Sequence, residues 1–149
     1  MSRGGWRAVN IPDVNVLIAI FRPDHAHHDR AVEWWEDAGL GDSLTVPDVV
    51  WSGFVRTATN PRAWESPATH EQVWAFVRSV MDQPTYARYL DAFDTMGHFE
   101  RLCRDVGAIG NLVSDAYIAA CATSLGAQVV TFDRDYRRFD GVRVLELSA

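Results

Sequence analysis

Four aspartates stand where this chain can do chemistry. Asp13 follows the apolar run RAVNIP, Asp133 and Asp135 follow QVVTF, and Asp115 lies at the head of the helical stretch DAYIAACATSL. Taken singly, each has an ordinary explanation. Asp115, beside Ser114, can cap a helix, while Asp13 with Asn15, and Asp133 with Asp135, can form Asx-type turns. Taken together they ask for more. Carboxylates within a few ångströms raise one another's pKa and oppose folding, so a cluster of them needs a compensating cation. Aspartate oxygens, water and phosphate oxygens are the ligands that Mg²⁺ or Mn²⁺ prefers. Such an ion would orient a phosphodiester, lower the pKa of a bound water and stabilise charge on the leaving oxygen, so metal-assisted phosphodiester hydrolysis is the natural reaction class. Arg134, Arg137 and Arg138 follow the paired acids, and Arg56 and Arg62 lie on or just after the third helix. They can pair with backbone phosphates, although some of them should be only solvated or held in salt bridges.

The elements that must bring these acids together follow from periodicity. Arg7 to Pro12 reads as a buried strand, Val14 to Phe21 as a short helix ended by Arg22-Pro23, and His25 to Ala38 as an amphipathic helix stopped by Gly39. Ser43 to Val46 is a second strand and Asp48 to Ala58 a helix, followed by helices over Pro67 to Met81, Thr95 to Val106 and Leu112 to Leu125. Tyr86 to Leu90 reads as a brief strand, Gln128 to Phe132 as a firm one, and Val142 to Leu147 as the last. Alternation on this scale predicts an α/β fold with a mainly parallel sheet covered by helices on both faces. In that architecture ligands lie outside the C-terminal ends of the strands. Asp13 and Asp133 come directly after strands, and a helix leading back into a parallel strand begins on the same edge, so Asp115 should join them there.

With 149 residues, the chain has the size of one domain spanning positions 1–149, large enough to bury a core without staples. No run approaches the roughly 18 apolar residues needed to cross a bilayer, so no membrane role is expected. The start, MSRGGWRAVNIPD, lacks the pattern of a signal peptide, which predicts a cytoplasmic location. Cys103 and Cys121 lie far apart within helical patterns and read as buried thiols. A formal charge of −6 disfavours binding to nucleic acid through bulk positive charge, while leaving room for a basic rim around an acidic centre.

Three segments carry a family resemblance: IPDVNVLIAIFRPDHAHHDRA, VWSGFVRTATNPR and GNLVSDAYIAACATSLGAQVVTFDRDYRRFDGVRVLEL. In this order and spacing they resemble a PIN domain, and more narrowly a VapC-type ribonuclease toxin of a bacterial toxin–antitoxin pair. The resemblance implies a PIN-like three-layer α/β/α fold and Mg²⁺- or Mn²⁺-dependent endonucleolytic cleavage of RNA. It implies inhibition by a cognate VapB antitoxin, which should lay a segment across the groove and bring an arginine or acidic side chain to the metal site, and it implies a homodimer. By the same resemblance Asp13, Asp115 and Asp133 are the metal ligands, Asp135 is a catalytic helper, and Thr131 and Asn15 are polar neighbours of the metal. One position departs from the pattern: where many members carry a glutamate in the helix after the second strand, this chain reads Ser52-Gly53-Phe54-Val55-Arg56. Gly53 cannot hold a metal.

That gap motivates a rival reading, a catalytically degenerate PIN-like module that docks a partner's arginine in its acidic pocket. A flap-endonuclease-type DNA nuclease is disfavoured because the chain has no room for a helical arch. A serine hydrolase lacks its G-x-S-x-G elbow, and a dehalogenase-type phosphatase would need an acid where Asn15 stands. His25, His27 and His28 are expected to be surface residues, and Trp34, Trp35 and Trp74 to pack in the core or at an interface. Trp51 and Trp64 are open between packing and base stacking.

Overall fold

The computed structural model describes residues 8–148 of the chain, so Arg7, the first residue of the predicted opening strand, lies outside the described residues. In chain order the elements are β1 (Val9–Pro12), α1 (Val14–Phe21), α2 (His28–Ala38), β2 (Ser43–Leu44), α3 (Asp48–Ala58), α4 (His70–Met81), α5 (Thr95–Val106), α6 (Asn111–Leu125), β3 (Gln128–Thr131), a 3-10 turn (Arg134–Arg138) and β4 (Val144–Glu146). The sheet has the order β2-β1-β3-β4 with every pairing parallel. The chain steps one way from β1 to β2 and the other way from β3 to β4. The switch point therefore falls between β1 and β3, where the crevice outside the strand ends opens.

Helices cover both faces, as parallel strands require. Adjacent residues on β3 show the division: Val129 enters a large cluster with Leu17, Phe54, Val77, Leu102 and Ala119, while Val130 enters a smaller one with Val16, Trp34 and Leu147. The described part of the chain is thus the expected α/β/α sandwich. Among the described residues no helix is long and apolar enough to cross a membrane. Cys103 and Cys121 are free thiols, the second buried.

The register of the two central strands is tied from inside. Asn10 is 1% exposed and pairs in register with Gln128, whose Nε2 donates to Asn10 Oδ1 at 2.7 Å. Asn10 Nδ2 in turn donates to Asp42 Oδ2 at 3.3 Å, just ahead of β2. A buried polar group is retained only where its bonds are made, so these contacts resist slippage.

Helices α1, α3 and α5 have the boundaries that periodicity predicts. Elsewhere local chemistry moves the ends. α2 starts at His28 because His25 to His28 close a turn, with His28 N donating to His25 O at 3.1 Å and His27 N to His25 Nδ1 at 3.0 Å. α4 starts at His70 because Thr69 and Gln72 form a reciprocal capping box. The predicted strand Tyr86 to Leu90 shrinks to a single bridge between Tyr86 and Leu44, and β2 is correspondingly only Ser43–Leu44. The helix predicted from Leu112 begins one residue earlier, after Gly110, whose φ of 58° is easy for glycine alone.

Candidate metal centre at the carboxyl edge of the sheet

The short central strands place their acids on one rim. Asp13 is the cap of α1: its Oδ1 accepts from Val14 N at 2.8 Å. Its Oδ2 accepts from Thr131 Oγ1 at 3.0 Å and from Asn15 Nδ2 at 3.2 Å. Only 5% of the residue is exposed. Burial pushes its carboxyl above the ordinary range, with the charge of Asp133 adding to that, against the pull of the Val14 and Thr131 bonds. Asn15 completes the frame by donating to Thr131 Oγ1 at 3.3 Å and accepting from Phe132 N at 3.3 Å. Thr131 and Asn15 therefore hold the carboxylate and the strand end together.

Asp133 caps the 3-10 turn, its Oδ1 accepting from Asp135 N at 2.8 Å, while Thr131 Oγ1 accepts from Asp133 N at 2.9 Å. The Asx turn that the sequence suggests is real, and it is what brings Asp135 beside Asp133. Asp115 differs from its expected place. α6 starts at Asn111, so Asp115 lies one turn inside the helix and caps nothing. Its side chain points to the rim, and one carboxylate oxygen from each of Asp115, Asp133 and Asp135 falls within a mutual 4.8 Å. Asp135, expected as a helper, stands in this close group, and Asp13 sits recessed beside it with its oxygens occupied by protein donors.

Tyr136 is a residue of the site that sequence reasoning missed. It is 1% exposed, and its hydroxyl donates to Asp115 Oδ1 at 3.5 Å while standing against Asp13. Burial and the charges of Asp13 and Asp115 push the phenol well above its usual range, so it remains a proton donor to them. Its signal was its place directly after Asp135 within VVTFDRDY. The Asp115 carboxyl is raised as well, to about 7, by burial first and then by the charges of Asp13, Asp133 and Asp135. Near neutral pH it is thus only partly ionised, and a cation would restore its charge. The donor set, carboxylate oxygens with one half-neutralised by its neighbours, fits a hard divalent ion.

Around this rim the arginines divide. Arg137 makes a two-pronged pair with Glu146, both bonds at 2.7 Å, and Arg138 donates to Val106 O at 3.2 Å. Arg56, Arg62 and Arg134 are exposed. Gly53 fits its packing: a Cβ built there would lie 2.8 Å from Val14 Cγ2, so a side chain at this point of α3 requires Val14 on α1 to shift. The histidines are less superficial than expected. All three are partly buried, with His28 Nδ1 bonded to Ala19 O at 2.8 Å and the His27 ring on Phe132. Trp51 packs in the core, 6% exposed, with its indole N–H on Tyr86 Oη at 3.4 Å, and Trp64 donates to Thr57 O at 3.0 Å. Trp74, expected to pack, is 43% exposed.

Comparison with known proteins gives the same frame. The PIN-domain family model matches residues 11–142. Ribonuclease VapC31 of Mycobacterium tuberculosis is 40% identical over 133 residues, covering 88% of this chain and 93% of the relative, and Ribonuclease VapC25 of the same organism is 39% identical over the same span. Among solved structures, VapBC2 of Rickettsia felis, bound to a DNA fragment from its promoter, superposes with a TM-score of 0.71 at 14% identity, covering 94% of this chain and 99% of the other. The sarcin-ricin loop cleaving toxin VapC20 of Mycobacterium tuberculosis gives 0.65 at 20% identity, covering 90% and 98%. With the acids on the expected rim and the family model spanning nearly all of the described fold, the chain belongs to the PIN-domain family, in its VapC branch.

Proposed function

We propose that this protein is the toxin of a type II toxin–antitoxin pair, an endoribonuclease dependent on Mg²⁺ or Mn²⁺ that hydrolyses RNA phosphodiester bonds and is restrained by a cognate VapB-type antitoxin. The observation that carries this reading is the meeting of Asp115, Asp133 and Asp135 within 4.8 Å at the switch point of the sheet, with Asp115 raised to about 7. Three acids so placed are poorly tolerated without a cation. The relatives named as VapC ribonucleases support the substrate class, and the toxin–antitoxin structures of the same fold support the partner.

When bound, a divalent ion supplies Lewis-acid polarisation of the phosphodiester and a lowered pKa for the attacking water. Asp115, Asp133 and Asp135 offer the oxygens that hold it, and Asp13 adds negative charge from its recess and completes the ligand set. Tyr136 orients Asp115 from below, and Thr131 with Asn15 fixes Asp13. The exposed Arg56, Arg62 and Arg134 are the cations that can meet backbone phosphates, Arg134 while also attracting Glu146. The protein acts as a homodimer in the cytoplasm, as one domain. Gly53 removes one acid and leaves the four aspartates, so the degenerate-module reading loses its main support.

The test pairs metal binding with cleavage. Calorimetric titration of the purified protein with Mn²⁺ should show binding that Asp115→Asn removes, and cleavage of labelled RNA should need the ion and stop in EDTA. Undiminished cleavage by Asp115→Asn would sink the assignment. Absence of Mn²⁺ binding with tight capture of an arginine-bearing antitoxin peptide would favour the degenerate module. Expression with and without the small neighbouring gene, followed by mapping of RNA ends, would identify the target.

A further inference from the structure

We propose that His27, stacked on Phe132, heads an aromatic strip that grips the bases of single-stranded RNA beside the acidic site; this rests on the ribonuclease reading above. The two rings lie 4.6 Å apart between centroids and 18° from parallel. Phe132 is the residue directly before Asp133, and its amide is fixed by Asn15 Oδ1 at 3.3 Å. The stack is therefore next in sequence to the acid cluster, with Phe132 packed against the core residues Val16, Trp34, Val130 and Leu147. Beyond His27 the rings continue, with His25 at 5.7 Å and Trp64 6.3 Å further on, and Arg22 closes the strip with its guanidinium carbon 4.0 Å from the Trp64 ring centroid. Each of the four rings is partly exposed. His27 stands at the cap position of α2 without making a side-chain capping bond, so helix capping does not account for its imidazole.

Charge makes such a grip necessary. The chain carries a net −6, and the substrate must approach a rim of carboxylates. Of the arginines nearest that rim, Arg137 is held by Glu146 and Arg138 by a backbone carbonyl. Phosphate contacts are left to the exposed Arg56, Arg62 and Arg134, and stacking adds a grip that does not depend on them. Aromatic stacking is indifferent to phosphate charge and tolerant of base identity. It suits a partly exposed strip leading away from an acidic centre.

The experiment uses the whole protein and a single-stranded RNA oligonucleotide, with binding read by fluorescence anisotropy in EDTA so that metal-dependent cleavage is suspended. His27→Ala should weaken binding by about tenfold, the loss of roughly one stacked base. Binding of the same oligonucleotide made abasic should be unchanged by the substitution, as should the slope of affinity against salt. His27→Phe should restore binding, since it keeps a ring without a charge. With Mn²⁺ present, His27→Ala should raise KM about tenfold and leave kcat in place. The proposal is overturned if His27→Ala binds the unmodified RNA as tightly as the parent or loses equal affinity for the abasic strand. It is overturned too if His27→Phe melts normally yet fails to restore binding, or if the defect is confined to complex formation with the antitoxin. A parent protein that binds RNA and never cuts it, with His27→Ala still weakening that binding, removes the ribonuclease reading and upholds the strip.

Discussion

Asp13 and Asp115 stand on the same rim, the first buried and the second half-buried, and their surroundings are opposite. Asp13 accepts from Val14 N, Thr131 Oγ1 and Asn15 Nδ2, and it caps α1. Asp115 has one long bond from Tyr136 and faces three other carboxylates, so its own carboxyl is raised to about 7. The first acid is built into the fold, and the second is kept in an environment that the fold alone does not satisfy. An unsatisfied group of this kind marks a candidate ligand site.

Activity should respond most to breaking the second environment. Asp115→Asn is expected to lower RNA cleavage by at least about a hundredfold, since even supporting groups of a metal site cost up to that much. The same change should raise the melting temperature of the metal-free protein by removing repulsion. Asp13→Ala should do the reverse to stability, costing about 2 kcal/mol in denaturant melts through the lost cap and the stranded Thr131 and Asn15 donors. Its loss of cleavage would then carry a folding component, whereas Asp13→Asn, which keeps an accepting oxygen, should melt nearer the parent. An Asp13→Ala protein as stable as the parent would erase the contrast.

A smaller effect is expected at the contact behind the rim. Gly53→Ala gains helix propensity but drives a methyl against Val14, with a net loss of about 1 kcal/mol. Val14→Ala in the same chain should relieve it, and a double-mutant cycle on chemical melts would measure the coupling. A further signature lies in pH. The folded Asp115 carboxyl titrates near 7, above its unfolded value, so its contribution is fully present below the unfolded pKa and is lost as pH rises through about 7. Metal-free melting temperatures should therefore fall between mildly acidic and mildly alkaline pH, and Mn²⁺ should restore most at the alkaline end. Asp115→Asn should flatten this part of the profile.

The rim itself was legible in the sequence because it depends on local pattern: strands ending at Asp13 and before Asp133, and a helix leading back into a strand. The division of labour along the rim was not. Whether a carboxylate's oxygens are already occupied depends on partners more than a hundred positions away, as Thr131 is from Asp13, and no periodicity encodes that. Asp115, at the head of DAYIAACATSL, reads as a possible cap when taken alone, but α6 starts at Asn111 after Gly110, which puts Asp115 one turn inside the helix. Tyr136 read as an ordinary aromatic until the fold tucked its hydroxyl under the acids. The glutamate missing at Gly53 looked like a deficit in chemistry, and the structure gives it a steric reason.

The Asn10–Gln128 bond lies three residues back along the strands from the rim, yet it acts as a gauge for it. Counting three residues along each strand from that matched pair arrives at Asp13 and Thr131, which meet at 3.0 Å. Because both strands are parallel, an alignment fixed at one end is carried unchanged to the other. The chain measures out its acidic edge from a polar mark set on the far side of the core, so substitutions at Asn10 or Gln128 would blur the site without touching it.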